Sequence, residues 1–210
     1  MKINLVRPLF ILIISCFISN ICYSQKSDSI SNRFIIILDI QEYYTKGEIP
    51  EGSSQKLIDS VNYIIDNVNS SQIIYLKRIH KVLNISTSFP FAYISFDSLA
   101  MRFDNRLNIV NKNIFSREKS SAFSMKELKG FLKEKKAKEI VIIGLLAEEF
   151  ILKSLIDGEK LSYDMYVIPE AIIGKSEKSK DKAIQKLAKK GVETISIRRI
   201  ISEKKVGLIK

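Results

Sequence analysis

Two places in the sequence combine reactive side chains with a geometry that could present them to a ligand. The first is Asp39, which directly follows the apolar run Arg33–Leu38. The second is Glu139–Gly158, where an apolar run passes into a helical pattern with almost no loop. Such runs are typical of buried parallel strands, and ligand sites of α/β proteins lie where these strands end. On spacing alone, a site residue and a turn or helix-capping residue are equally good interpretations of Asp39.

The amino terminus has the pattern of a secretory signal peptide. Lys2 and Arg7 precede or flank a short apolar core, Leu9–Ile18, and Cys22-Tyr23-Ser24 places small residues at both cleavage-determining positions. We therefore predict a signal peptide over residues 1–24, cleaved before Gln25, and export to the periplasm or the medium. A retained membrane anchor is the weaker interpretation because the core is short. A lipoprotein is weaker still, because Ile14 stands where a small residue is usual.

Cleavage there would remove both cysteines of the chain, Cys16 and Cys22. The mature protein would then have no disulfide, no thiolate metal site and no cysteine nucleophile. Only one histidine, His80, is present, and a lone histidine is more often structural or solvated than a metal ligand. We therefore predict no metal and no cofactor.

Apolar runs alternate with helical patterns along the rest of the chain. Helix following strand following helix is typical of βαβ units, which predicts an α/β domain over residues 33–201 with a mostly parallel sheet. A polar lead-in over residues 25–32 and a basic tail over residues 202–210 flank it. Six strands are predicted: Arg33–Leu38, Gln72–Leu76, Leu107–Val110, Glu139–Ile143, Tyr163–Ile168 and Val192–Ile197. Ser124 and Glu127 are spaced as a capping box at the start of a helix.

The least regular stretch of the domain is Lys77–Arg106, which carries an aromatic cluster. Its members are Phe89, Pro90, Phe91, Tyr93 and Phe96. Lining of a pocket and padding of a subunit contact are both left open, but packing of a long loop onto the core is the preferred interpretation.

Composition limits the function classes. A chain of 210 residues with 46% hydrophobic residues can bury one full core. The formal net charge is +11, and loss of Lys2 and Arg7 with the signal peptide would leave +9. Acidic residues accompany most lysine clusters and aromatic residues do not interleave with the basic ones, so a nucleic-acid-binding module is poorly supported.

Three motifs, in order, resemble the isochorismatase-like hydrolases, which include the nicotinamidases. Ile-Leu-Asp-Ile-Gln around Asp39 is similar to the opening motif of that family, and Asn111-Lys112 followed by Ser121-Ala122-Phe123 resembles its lysine and Ser-Ala-Phe elements. The segment Gly144–Phe150 resembles its G-x-x-T-[DE]-x-C turn. The resemblance extends from about Arg33 to Ile201 and implies a Rossmann-like, three-layer α-β-α sandwich around a six-stranded sheet.

The resemblance also implies a catalytic triad of Asp, Lys and Cys that cleaves amide or enol-ether-linked substrates. When this triad is carried over to the present sequence, Asp39 matches the general acid/base of the family and Lys112 matches its stabilising cation. Phe150 stands at the position of the nucleophilic cysteine. Arg117 and Lys119 lie closer to Ser121 and are alternatives for the cation. Asp39 and Lys112 would be left to pair with each other. Some members bind a metal after the second strand, but that loop supplies only His80 here.

Phenylalanine cannot attack a carbonyl, so the sequence predicts an exported protein that lacks the cysteine-dependent reaction of the family. It would be a pseudoenzyme that acts as a binding or structural partner for an unidentified small molecule or protein, with a homo-oligomer left open. The alternative is a hydrolase of C–N (amide) bonds that uses Asp39 and Lys112, or Glu149, to activate water without a thiol.

Overall fold

The computed structural model describes residues 32–207, with side chains described as far as residue 202. The predicted signal peptide and residues 25–31 of the predicted lead-in lie outside this part of the chain. Within it, no helix combines the length and the hydropathy needed to cross a bilayer.

The core of the fold is a six-stranded sheet in which every pair of neighbouring strands is parallel. The strands of the molecule are β1 (Arg33–Leu38), β2 (Ile73–Arg78), β3 (Lys81–Ile85), β4 (Ala92–Phe96), β5 (Ile114–Arg117), β6 (Glu139–Leu145), β7 (Asp164–Ile173) and β8 (Glu193–Thr194). The order across the sheet is β5-β2-β1-β6-β7-β8, and β3 pairs only with β4 in a separate antiparallel hairpin.

Helices cover both faces of this sheet. They are α1 (Glu51–Asn67), α2 (Lys126–Glu134), α3 (Leu152–Glu159), α4 (Glu177–Ala188) and α5 (Ile197–Gly207). Side chains of β1 alternate between the two faces, so Ile35 and Ile37 join the core under α1 and α5, whereas Ile36 joins the core under α2, α3 and α4. The predicted α/β sandwich with a parallel six-stranded sheet is therefore confirmed.

The strand at one edge of the sheet is not the one predicted. Leu107–Val110 forms no strand, and β5 lies instead in the stretch after it, where no strand is predicted. Leu107 is buried beside Asp104, to whose carbonyl its amide donates (3.0 Å). β5 is short and half polar because it is an edge strand with one neighbour, β2, so it lacks the continuous apolar run of a central strand.

Two further details of the prediction are wrong. Ser124 does not cap α2: its hydroxyl donates to the carbonyl of Ser121 (2.7 Å), and α2 begins after Met125 without a side-chain cap. The predicted strand Val192–Ile197 is reduced to β8, and α5 begins at Ile197 and continues into the predicted basic tail.

The aromatic cluster of the irregular stretch is not packed onto the core, contrary to prediction. It belongs to β4 and to the turn between β3 and β4, where Phe89 is 87% exposed and Phe91 is 65% exposed. The hairpin therefore stands away from the sheet and presents apolar side chains to solvent.

Candidate functional site

Several strand ends meet at one edge of the sheet. Asp39 follows β1, Arg78 ends β2, and Arg117 ends β5. The segment Ala147–Ile151, a π-helical turn between β6 and α3, begins at the same edge. Because parallel strands end on the same side, these side chains converge from segments far apart in sequence.

Asp39 and Arg117 form a fully buried ion pair. Nη2 of Arg117 donates to Oδ2 of Asp39, and Nη1 donates to the carbonyl of Lys119. Asp39 has a φ of 55°, in the left-handed region, and its amide still donates to the carbonyl of Leu76 (2.9 Å). This backbone conformation turns the chain at the strand end while the carboxylate stays beside Arg117.

The pair is incompletely satisfied. Oδ1 of Asp39 and Nε of Arg117 are buried and have no hydrogen-bond partner among the described residues. Burial raises the pKa of Asp39 from 3.8 to about 6, and the charge of Arg117 only partly opposes this rise. Asp39 is therefore a carboxylate at neutral pH that has no surface accessible to a substrate.

Phe150 lies under both arginines. Its ring is buried, and the guanidinium carbons of Arg117 and Arg78 lie 4.6 Å and 4.9 Å from the ring centroid. At these distances the cations interact favourably with the π face. Tyr44 makes an edge contact with the same ring, with centroids 6.3 Å apart. Both arginines of this edge therefore pack against the apolar ring of Phe150.

The predicted pairing of Asp39 with Lys112 is wrong. Lys112 is exposed in the turn that precedes β5, whereas Arg117 ends that strand. The two residues lie at opposite ends of β5, so only Arg117 reaches the edge that carries Asp39. Lys119, the other alternative, is exposed and contributes its carbonyl oxygen. The catalytic roles that the resemblance implies for Asp39 and Lys112 stay predictions.

A cavity of about 480 Å³ opens beside Phe150. Its lining residues include Tyr43, Tyr44, Glu48, Arg78, His80, Lys81, Glu118, Glu149 and Lys175. Two of its cations are neutralised, since Lys81 contacts Glu118 (2.9 Å) and Lys175 contacts Glu149 (2.5 Å). Arg78 forms no salt bridge with a carboxylate among the described residues; its guanidinium lies over the ring of Phe150, hydrogen-bonds the hydroxyl of Tyr44 and lies in the field of Asp39.

Tyr43 and Tyr44, the tyrosine pair, are held in place through the next residue, Thr45, which contacts a second buried carboxylate. Asp104 accepts hydrogen bonds from Oγ1 of Thr45 (2.5 Å) and from Nη2 of Arg106 (2.7 Å), and Arg106 also donates to Gln55 of α1 (2.8 Å). Burial alone would raise the pKa of Asp104, but the hydrogen bonds from Arg106 and Thr45 hold it below its usual range. This cluster ties the π-helical turn Tyr43–Glu48 to α1 and to the loop before β5.

Gln41 secures the other side of the turn. Its Nε2 donates to the carbonyls of Ala100 (2.8 Å) and Arg78 (3.1 Å), and its Oε1 accepts from the amide of Arg78 (2.6 Å). The side chain thus makes the hydrogen bonds to the backbone of Arg78 that a neighbouring strand would otherwise make, and holds that backbone in place.

The residues at this edge do not fit a metal ion. Across residues 32–207, no group of three or more His, Cys, Asp and Glu side chains is arranged to hold one. His80 contacts the rings of Tyr43 and Tyr44, with centroids 4.5 Å and 5.6 Å apart, and burial followed by the charge of Arg78 lowers its pKa. A metal cation at this edge would also be repelled by the positively charged guanidinium groups of Arg78 and Arg117.

Arg78 and Tyr44 were missed as candidates from the sequence, although a signal was present for Arg78. Arg78 ends an apolar strand, and Tyr44 follows Asp39 by five residues. The rule that singled out Asp39, a position at a strand end, therefore applies to Arg78, whereas Tyr44 lies too far past β1 for that rule to find it. Burial, followed by the charge of Asp39, raises the pKa of Tyr44, so its hydroxyl is protonated and able to donate a hydrogen bond at neutral pH.

The motifs that carry the resemblance meet in the structure. The amide of Ala122 donates to the buried Oγ of Ser154 (2.9 Å), so Ser121-Ala122-Phe123 is joined to α3. Gly144 pairs with Leu38 across the sheet, so the turn before Phe150 lies directly beside the strand that leads to Asp39.

Solved structures share this fold. The chain is similar to an isochorismatase-like hydrolase from Alkaliphilus metalliredigens (13% identity, TM-score 0.66, 81% of this chain and 98% of that one). It is also similar to a pyrazinamidase of Pyrococcus horikoshii in complex with zinc (19% identity, TM-score 0.66, 79% of this chain and 99% of that one). A third similar structure is a pyrazinamidase/nicotinamidase from Streptococcus mutans (18% identity, TM-score 0.60, 78% of this chain and 99% of that one). At these identities the likeness concerns the fold.

Comparison with curated protein sequences gave no match. The model of the isochorismatase domain matches residues 33–199, which is most of the chain. The order of the strands and this match together identify the chain as a member of the isochorismatase domain family.

Proposed function

We propose that this protein is a pseudoenzyme of the isochorismatase domain family that binds a small carboxylate-bearing molecule beside Phe150. The arrangement of Phe150 carries the proposal, because its ring lies under the guanidinium groups of Arg78 and Arg117 while Arg117 holds Asp39. In this interpretation Phe150 takes the place of the nucleophile, and its ring supports a binding site instead of a reaction.

The groups at this edge are poorly suited to hydrolysis. Phenylalanine offers no lone pair, and Asp39 is buried against Arg117. Glu149, the other candidate for activating water, is paired with Lys175. The alternative of a thiol-independent amide hydrolase is weaker for these reasons, and because Lys112 lies at the far end of β5.

A carboxylate is the ligand class that the cavity favours. Arg78 lines the cavity and forms no salt bridge with a carboxylate among the described residues, and a guanidinium binds a carboxylate through two parallel hydrogen bonds. Tyr44 offers a hydroxyl donor, and the rings of Tyr43 and Phe150 offer flat apolar surface. A volume of about 480 Å³ accommodates a small molecule.

Calorimetric titration with small aromatic carboxylates, each compared with its carboxamide, tests the binding proposal. We expect the acids to bind and the amides to bind more weakly. Arg78→Gln should weaken binding of the acids by about 10- to 100-fold, because charge-assisted hydrogen bonds are lost. Arg102→Gln, an exposed arginine outside the cavity, serves as the control. Equal affinity for acids and amides would contradict the proposal.

Turnover is tested separately by incubating the protein with a panel of small amides and following product by chromatography. We expect no product above the uncatalysed rate. Hydrolysis by the wild type that disappears in Asp39→Asn would contradict the pseudoenzyme proposal and support the thiol-independent amide hydrolase.

We also propose that the protein is exported after cleavage of residues 1–24. The support is the charged start, short apolar core and small residues before Gln25. Expression in a bacterial host followed by fractionation and amino-terminal sequencing should give an exported chain that begins at Gln25. An intact amino terminus in the cytosol would contradict this.

A further inference from the structure

The hairpin of β3 and β4 has an unusual composition for this chain. From Val82 to Phe96 the sequence contains no charged residue, although charged residues make up 27% of the whole chain. We refer to these fifteen residues as the arm. Its eight large apolar side chains are between 41% and 87% exposed: Val82, Leu83, Ile85, Phe89, Phe91, Tyr93, Ile94 and Phe96.

The register of the hairpin gives the arm two different faces. Leu83 lies opposite Ile94, and Ile85 lies opposite Ala92, so these side chains and that of Phe96 share one face. On the reverse face, Val82 lies opposite Ser95 and Asn84 lies opposite Tyr93, and Nδ2 of Asn84 donates to Oγ of Ser95 (2.8 Å). The first face, which we call the apolar face, is continuous and lacks polar side chains apart from Lys81 at its base.

The base of the arm is held in place. Lys81 contacts Glu118 of the loop after β5 (2.9 Å), and the amide of Asp97 donates to the carbonyl of His80 (3.0 Å). The carboxylate of Asp97 also accepts from the amides of Leu99 and Ala100 (3.0 and 2.9 Å). Because the base is fixed, the arm presents its faces to a partner without a large loss of conformational freedom.

The apolar area of the arm is large enough for a protein contact. The apolar face carries Leu83, Ile85, Ile94 and Phe96, which are 59–83% exposed, and the turn adds Phe89 and Phe91. These six side chains together present on the order of 700 Å², since an aromatic side chain alone covers roughly 150–250 Å². The largest apolar patch on a typical monomer covers only roughly 300–600 Å². A standard protein interface buries about 800 Å² on each partner.

We propose that the arm is the contact surface between two copies of this chain, related by a two-fold axis and packed through the apolar face. A two-fold contact requires a surface that is complementary to itself, and a flat apolar ribbon meets this requirement. Each copy carries a formal charge of +11, or +9 without residues 1–24, so two copies repel each other and an uncharged contact surface keeps this cost low. The arm is such a surface.

The backbone of the arm favours a protein partner over a lipid surface. Among the described residues β3 and β4 each have one neighbouring strand, so their outer edges carry unpaired amide and carbonyl groups. Insertion into hydrocarbon would leave these groups without hydrogen bonds, whereas a second copy leaves them accessible to water or to another strand.

Sedimentation velocity of the purified full-length protein over a range of concentrations tests the proposal. Wild type is expected to dimerise reversibly. Ile94→Lys, which places a charge on the apolar face, should give a monomer, and Val82→Lys, on the reverse face of the same strand pair, should leave the dimer in place. Ile94→Thr keeps a β-branched side chain and should raise the dissociation constant by about two orders of magnitude, because apolar area is lost from both copies.

Circular dichroism checks that each variant keeps the wild-type secondary-structure content. A wild type that remains monomeric, a dimer that persists in both Ile94 variants, or equal loss of dimer in Val82→Lys would each overturn the proposal. Flotation with neutral phosphatidylcholine vesicles is measured in parallel. Vesicle binding that depends on Ile94, together with a monomeric wild type, would assign the arm to a lipid surface instead.

Discussion

At the scale of single residues, the candidate site is defined by contacts between charged groups and one aromatic ring. Arg117 contacts both Asp39 and the ring of Phe150, so a single guanidinium fixes two of the positions that the family resemblance singles out. Removal of either partner of a buried ion pair leaves an uncompensated charge, which is strongly destabilising. The pair is therefore a structural unit whether or not it touches a ligand.

The raised pKa of Asp39 gives a prediction with a definite sign. The pKa is about 6 in the folded state and 3.8 in the unfolded reference, so the folded state binds the proton more tightly. The contribution of Asp39 to stability is fully present below pH 3.8 and is lost as pH rises through 6.

The measurement is urea unfolding of wild type and Asp39→Asn between pH 4 and pH 7. The free energy of unfolding of wild type should fall relative to that of the variant across this range, because only wild type has the titrating group. Parallel pH profiles for the two proteins would show that Asp39 does not titrate as expected.

Asp104 should show the opposite behaviour, because hydrogen bonds from Arg106 and Thr45 stabilise its charged form. Its stabilising contribution is present above pH 3.8 and is lost as pH falls below that value. At neutral pH, Asp104→Ala should lower the free energy of unfolding by about 2–4 kcal/mol, as measured in urea. Asp181→Ala, on the exposed face of α4, is the control and should change it little. Equal effects of the two substitutions would rule out a special role for the Asp104 cluster.

At the scale of secondary structure, β6 determines where Phe150 lies. Gly144 has a φ of 115°, and a Cβ at this position would overlap the carbonyl oxygen of Leu38. The register between β6 and β7 also shifts between Ile142 and Gly144. The glycine thus allows β6 to lie close against β1 and then turn into the segment that carries Phe150.

Gly144→Ala should therefore destabilise the fold by several kcal/mol, on the order of 3–5. Gly130→Ala provides a matched control of opposite sign: it lies within α2 with open space around it, so it should stabilise the protein by about 0.5–1 kcal/mol. Thermal unfolding of the two variants checks both values. A Gly144→Ala protein as stable as wild type would show that β1 and β6 can separate locally.

Central elements were predictable from the sequence and peripheral ones were not. β1, β2 and β6 are buried on both faces, so apolar side chains are required at nearly every position and the pattern is visible. β5 and β8 pair along one side only, and their sequences resemble loops. The misplaced edge strand also led to the wrong partner for Asp39, because the position of Arg117 at a strand end depends on where β5 lies.

The candidate site was predictable only in part, for a related reason. Asp39 and Phe150 follow strands with clear patterns, whereas Arg78 and Tyr44 become neighbours of Phe150 only through the long-range order of the sheet. The arm is a separate case, since exposure of its aromatic residues contradicts the usual preference of such side chains for the core.

At the scale of the whole molecule, net charge and the uncharged arm oppose each other in the proposed dimer. Because both copies are positive, added salt should screen their repulsion and strengthen association. Sedimentation at increasing sodium chloride concentration should show a falling dissociation constant. A constant that rises with salt would indicate that ion pairs, not the apolar face, hold the copies together.

The tyrosine pair at the cavity wall has a practical consequence. The chain contains eight tyrosines and no tryptophan, so its ultraviolet emission comes from tyrosine alone. Tyr43 and Tyr44 line the cavity and contact each other edge to face, with centroids 5.1 Å apart. A molecule that enters the cavity touches these rings directly, and the native protein thereby carries its own fluorescent reporter of occupancy.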